Sequence, residues 1–236
     1  MTTHTTHHVT HSPARTDITP VPAARSSRTW AYAGVGAGLA GIGTIVTSSM
    51  INGAYDDALR GDVPAQAAKL ADQTPQMFAF HTFTLVGAVL LVVFAAGLLR
   101  RLRAGVGDVS TVPLVAFAGL VGTAVVSVLG SGLDTEFMMG PQEDGLVDPT
   151  NAVLYNHWVG TIPWCWVLAG LAGVAVFVAA RAGGAPRWIG RVGLVLGGLT
   201  LLLGISPLQY MAGMTGPLWL LVTAIGFSVG DRAFRS

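Results

Sequence analysis

The chain has little charge and almost none of two reactive residue types. Asp, Glu, Lys and Arg make up 11% of its 236 residues, against roughly 25% in an ordinary soluble domain. With 52% hydrophobic residues and a mean hydropathy of +0.60, that shortage argues against a soluble globular enzyme. Cys165 is the one cysteine, so no intrachain disulfide staples the fold. Lys69 is the one lysine beside twelve arginines. The sequence has no Gly-rich phosphate loop, no Ser/His/Asp arrangement, no His-Glu-x-x-His pair and no paired intramembrane carboxylate. Ion or proton coupling through a membrane bundle normally needs such buried acids, so proton-driven transport is disfavoured.

Glycine is abundant, with 31 residues that follow no Gly-X-Y period and are interleaved with Leu, Val and Ala. This is the composition of closely packed membrane helices. A hydrocarbon core about 30 Å thick needs roughly 20 apolar helical residues to cross it. Six stretches meet or approach that length: Ala31 to Met50, Met77 to Leu99, Val112 to Gly132, Trp158 to Ala180, Ile189 to Ser206 and Leu208 to Val229. The fold class is therefore all-α, a polytopic bundle of six transmembrane helices. Residues 1–29 form a Thr- and His-rich tail with no apolar periodicity and no signal-peptide h-region, expected to be disordered. Residues 30–230 make the transmembrane domain with loops near 51–76 and 133–156, and residues 231–236 a short tail.

Sorting charge by loop gives the orientation. One side collects eleven arginines against Asp17, Asp108 and Asp231. The other has Arg60 and Lys69 against nine acids, among them Asp56, Asp57, Asp62, Asp134, Glu136 and Asp148. Basic loops stay cytoplasmic, so both termini are expected inside, in the plasma (cell inner) membrane. Orientation alone accounts for these arginines and leaves nucleic-acid binding without support. Trp30 and Trp188 fall where an inner aromatic belt would lie. The inward helices each end in a Phe followed by an Arg: Phe94 and Arg100, Phe177 and Arg181, Phe227 and Arg232. The glycines of the first span, and Gly193 with Gly197 in the fifth, read as packing within the bundle rather than a dimer face. In the first outer loop, residues 65–71 are good helix formers, with Pro64 suited to a first turn and Asp62 to a cap.

The chemistry-bearing residues gather toward the outer side. His81 and His157 lie at the outer ends of the second and fourth spans, and ionisable groups in membrane helices are functional candidates by default. Two imidazoles at matched depth could share a metal or ligate a haem. Met77, Met211 and Met214, with Cys165, add soft donors suited to copper. Met77 and His81 are four residues apart and share a helix face. Trp164 and Trp166 flank a kink expected at Pro163 and with the histidines could line a cavity open to the outside. The tail histidines His4, His7, His8 and His11 offer incidental metal affinity.

Around Val93-Phe94-Ala95-Ala96-Gly97-Leu98-Leu99-Arg100-Arg101-Leu102, and from Ile205-Ser206-Pro207-Leu208-Gln209-Tyr210 to Gly216-Pro217-Leu218-Trp219, the sequence resembles uncharacterised actinobacterial multi-pass membrane proteins. That resemblance spans residues 30–230 and implies a membrane bundle without assigning any residue a role. The expected function is a non-enzymatic bundle that binds a small solute or lipid, or serves as a scaffold, with His81, His157, Trp164 and Trp166 as ligand-binding candidates. One alternative is a metal- or haem-binding redox protein using the two histidines. Another is a membrane subunit for signalling or assembly, with a protein partner or a second copy beside the lipid bilayer.

Overall fold

A computed structural model describes residues 28–140, 147–229 and 231. The tail histidines and Glu143 and Asp144 of the acidic loop lie outside them. The described residues are helical, with no strand among them. In chain order they form α1 (Thr29–Met50), α2 (Val63–Asp72), α3 (Thr74–Val106), α4 (Val112–Gly130), α5 (Asp134–Met139), α6 (Pro149–Val159), α7 (Val167–Arg181), α8 (Arg187–Val192), α9 (Gly198–Ile205) and α10 (Ala212–Val229), with a π-helical turn, Gly193–Gly197, joining α8 to α9. Six stretches are long and apolar enough to cross a membrane, so the chain fits an integral membrane protein in contact with lipid.

Local chemistry sets most of the boundaries. The Asp62 carboxylate accepts from the Ala65 amide 3.0 Å away and starts α2, with Pro64 in its first turn, as the sequence led us to expect. Asp148 does the same for α6 through the Thr150 amide at 2.8 Å. Gly107, at φ +85°, stops α3 in a conformation that a Cβ would strain. At 33 residues α3 is about 50 Å long, so it extends well beyond a hydrocarbon core. The fourth span departs from expectation. Instead of one kinked helix from Trp158 to Ala180, α6 ends at Val159, a 3₁₀ turn covers Ile162–Trp164, and α7 begins at Val167. Pro163 sits in the first turn of the 3₁₀ segment, so the chain restarts there rather than bending through it. Pro217, by contrast, lies inside a continuous α10.

The spans close into a ring in which α1 packs between α10 and α3, α4 between α3 and α7, and the α8 to α9 segment between α7 and α10. Small residues permit this closeness. A Cβ at Gly193 would lie 2.4 Å from the Gly173 carbonyl oxygen of α7, so the Gly193 and Gly197 pair is used inside the bundle. The three Phe and Arg endings take different places. Phe94 and Phe227 converge on Trp30, with ring centroids 5.5 and 5.4 Å away, whereas Phe177 lines a separate cavity beside arginines. Trp30 is therefore buried in the core rather than at a lipid interface, while Trp188 is exposed.

Both ends of the described chain meet at the arginine-rich end, where Arg28 donates to the Ser228 carbonyl at 3.2 Å. There Arg101 grips Asp231 through two hydrogen bonds, at 2.5 and 2.9 Å, and donates to the Gly184 carbonyl at 3.0 Å. At the opposite end a second apolar cluster forms a cap. Ile51, Leu70, Met77, Phe80, Phe137, Met138, Ala152, Tyr155 and Val159 come together from α2, α5, α6, the first turns of α3 and the loop after α1.

Candidate functional site

The cap is tied to the bundle by buried polar side chains whose partners are far away in sequence. At the last turn of α1, Ser48 donates to the Val159 carbonyl at 2.7 Å and accepts the Trp164 indole N–H at 3.0 Å, joining α1, α6 and the 3₁₀ turn at one hydroxyl. Asn156, fully buried, accepts the Ala54 amide at 2.8 Å and donates to the Ile51 carbonyl at 2.5 Å. Its amide thereby satisfies two backbone groups of the loop that leaves α1. Asp134, at 0% exposure, receives the Tyr155 hydroxyl at 3.0 Å on one oxygen and lies 2.9 Å from His81 Nδ1 on the other. Asp134 thereby ties His81 of α3 to Tyr155 of α6 through one carboxyl group. Phe137 stacks on Tyr155 at 4.5 Å and 13°.

His157 belongs to a different group. Its Nδ1 is 3.0 Å from the Tyr55 hydroxyl, and the two rings meet edge to face at 5.0 Å. Burial raises the Tyr55 phenol above its ordinary range, so the hydroxyl keeps its proton at neutral pH. A Cβ at Gly160 would sit 2.8 Å from that hydroxyl. Glycine at this position is what lets Tyr55 lie over the end of α6.

Beneath this pair opens a cavity of about 460 Å³ lined by Tyr55, Gly160, Thr161, Trp164, Tyr210, Met211 and Met214. Trp164 is nearly buried, whereas Tyr55, Tyr210 and Met214 are exposed, so the indole forms the floor and the others the rim. The broken fourth span creates this space. Because α6 stops at Val159 and α7 starts at Val167, the 3₁₀ turn presents Trp164 to the 3₁₀ turn Gln209–Met211 that precedes α10.

The structure thus gathers some of the candidate residues and separates others. Trp164, Met211 and Met214 line one cavity, and His157 stands at its edge through Tyr55. Trp166 is wedged between α1 and α10, where Cβ atoms at Gly41 and Gly216 would lie 3.0 and 2.7 Å from it, and its N–H donates to the Pro163 carbonyl at 3.0 Å. Met77 is buried in the cap cluster. His81 faces Asp134 while His157 faces Tyr55, so their Nδ1 atoms serve different partners. Cys165 is a free thiol within 3.5 Å of the Thr161 carbonyl. Among the described residues no group of three His, Cys, Asp or Glu side chains is placed to hold a metal ion.

Ser48, Tyr55, Asp134, Tyr155, Asn156 and Tyr210 did not stand out in the sequence. Asp134 is one acid among several in its loop, and serine, asparagine and tyrosine near a helix end are ordinary there. The region was marked instead by Pro163 with its tryptophans and by the outer histidines and methionines, His81, His157, Met211 and Met214 among them. No family model matches the chain, and neither a curated protein nor a solved structure matches it.

Proposed function

We propose that the protein is a plasma-membrane binding protein that takes a small, largely apolar solute or lipid segment into the cavity over Trp164, with both termini in the cytoplasm. The observation that carries the reading is the cavity itself. Its volume falls within the roughly 300–1,000 Å³ range of ligand sites, and its lining combines aromatic rings and thioethers with a few hydroxyls. Methionine adapts to ligands of varied shape, and Trp and Tyr offer broad apolar faces with a polar tip. The Tyr55, Tyr210 and Thr161 hydroxyls can orient a ligand through one or two hydrogen bonds. The cytoplasmic placement of the termini rests on the unequal division of arginine and acid between the two ends.

Full-length protein in detergent, titrated with the fluorescent apolar probe 1-aminoanthracene, tests the cavity. Saturable binding is expected, weakened about tenfold by Met214→Lys, which puts an ammonium into the apolar rim. Met214 is half-exposed near the start of α10, and thermal unfolding of the variant in the same detergent checks that the fold is kept. Binding unchanged in Met214→Lys, or no saturable binding at all, refutes the reading. Sidedness is tested separately in a Cys165→Ala background. A membrane-impermeant maleimide should label Asp57→Cys on intact cells and leave Asp108→Cys unlabelled, and the reverse pattern refutes the orientation.

A further inference from the structure

At the arginine-rich end, α7 finishes at Arg181 in a Schellman turn. The Gly184 amide returns to the Ala179 carbonyl at 2.8 Å, the Gly183 amide to the Ala180 carbonyl at 3.2 Å, and Gly183 takes φ +86°. This tight reversal brings α8 back alongside α7. Arg187 and Arg191, one turn apart on α8, therefore face the same space as Arg181. The three arginines, with Phe177 and Ala180, line a cavity of about 350 Å³. Orientation by charge calls for arginines at this end, but it does not require three of them around one hollow. Among the described residues none of the three makes an ion pair or a side-chain hydrogen bond, whereas Arg101 at the same end is matched to Asp231. Like charges spaced four apart on a helix repel, so this arrangement is left electrostatically unbalanced by the described residues.

We propose that this cavity binds the phosphate group of an anionic membrane lipid. Guanidinium forks match phosphate oxygens in geometry and charge, and basic pockets between transmembrane helices suit such headgroups. The apolar side of the hollow, Phe177 and Ala180, belongs to the spanning helix α7, and the neighbouring Trp188 is exposed as an interfacial anchor would be. A headgroup held by the arginines would thus leave its acyl chains running along the bundle. The site is at the opposite end from the Trp164 cavity and stands or falls independently of it.

Native mass spectrometry of the full-length protein in detergent, titrated in parallel with short-chain phosphatidylglycerol, phosphatidylcholine and inorganic phosphate, tests this. Retention of phosphatidylglycerol over phosphatidylcholine is expected. The double variant Arg187→Gln, Arg191→Gln should weaken it about thirtyfold, and Arg103→Gln, outside the cavity, should leave it unchanged. Arg187→Lys with Arg191→Lys keeps the charge and should recover part of the binding, which separates recognition from misfolding. Equal retention of both lipids, equal weakening by Arg103→Gln, or saturation by inorganic phosphate without lipid preference would each overturn the proposal.

Discussion

In the bundle, Gly119 of α4 comes so near α7 that a Cβ there would sit 2.4 Å from the Leu168 carbonyl oxygen. In the cap, Asn156 joins α6 to the loop after α1 by holding an amide and a carbonyl of that loop. The two regions are both apolar inside, yet their cohesion differs. Lipid tails are as apolar as leucine, so burying side chains between spans brings little hydrophobic gain and close dispersion contacts must hold them together. The cap is built from short helices and turns whose backbone groups have no continuous helix to satisfy them. There Ser48 and Asn156 answer backbone groups with buried side chains, and Tyr155 donates to the buried Asp134. Each region keeps two exceptions: Trp219 Nε1 and Thr223 Oγ1 on α10 in the bundle, and Gln76 Oε1 and Trp158 Nε1 at the cap, are buried with no hydrogen-bond partner among the described residues.

The sharpest way to break this contrast is to add bulk where the bundle is tightest. Gly119→Leu should cost about 3 kcal/mol, because the obstructing atom is backbone and cannot swing aside. Gly198→Ala is the control, since nothing lies within 4 Å of its added Cβ. It should be neutral or stabilise by about 0.5–1 kcal/mol. Thermal unfolding of both in the same detergent checks this, and equal changes in the two variants would show that approach distance does not set the cost.

Removing hydrogen bonds should act mainly on the cap. Asn156→Ala leaves the Ala54 amide and the Ile51 carbonyl unanswered and should cost about 2 kcal/mol. Hydrogen exchange should accelerate over residues 51–56 while the middle of α1 remains protected. Uniform acceleration would mean that cap and bundle unfold as one unit. Tyr155→Phe removes a single donor to Asp134 and keeps the stack on Phe137, so a loss of about 1 kcal/mol is expected from the same unfolding measurement.

The smallest effect is expected at the exposed fringe of the cap. Lys69 donates to Asp56 at 2.8 Å, and that bond, together with the Ala58 amide, holds the Asp56 carboxyl below its ordinary range. A depressed carboxylate stabilises the fold above its unfolded pKa, and the contribution disappears as pH falls through the lower folded value. NMR titration should show α2 loosening only in acid, and Lys69→Met should reduce that dependence to what the Ala58 amide sustains. The same acid response in Lys69→Met would assign it to another group.

Much of the bundle was legible because hydrophobic length and loop charge are properties of consecutive residues. Val112 as the start of the third span and Met50 as the end of the first coincide with α4 and α1. The Asp62 cap was readable for the same reason, since capping involves residues three apart. In the fourth span a full break stands where a kink was expected, because hydropathy averages over the 3₁₀ turn and registers Trp164 and Trp166 alike. Their separation, one over a cavity and the other wedged between glycines of α1 and α10, is a fact of packing. Asp134 was placed outside the membrane helices, yet the third apolar stretch runs on into α5, which contains it.

Sequence alone carried the membrane class, the six apolar stretches and the unequal division of charge between the loops, because each depends on how many apolar or charged residues follow one another. Tertiary structure decided which chemistry-bearing side chains meet. It gave His81 and His157 different partners, assembled Trp164, Met211 and Met214 around one hollow, and set Arg181 beside Arg187 and Arg191. Those meetings depend on helix ends, breaks and crossing distances that involve residues far apart in the chain, and a linear pattern carries no record of such distances.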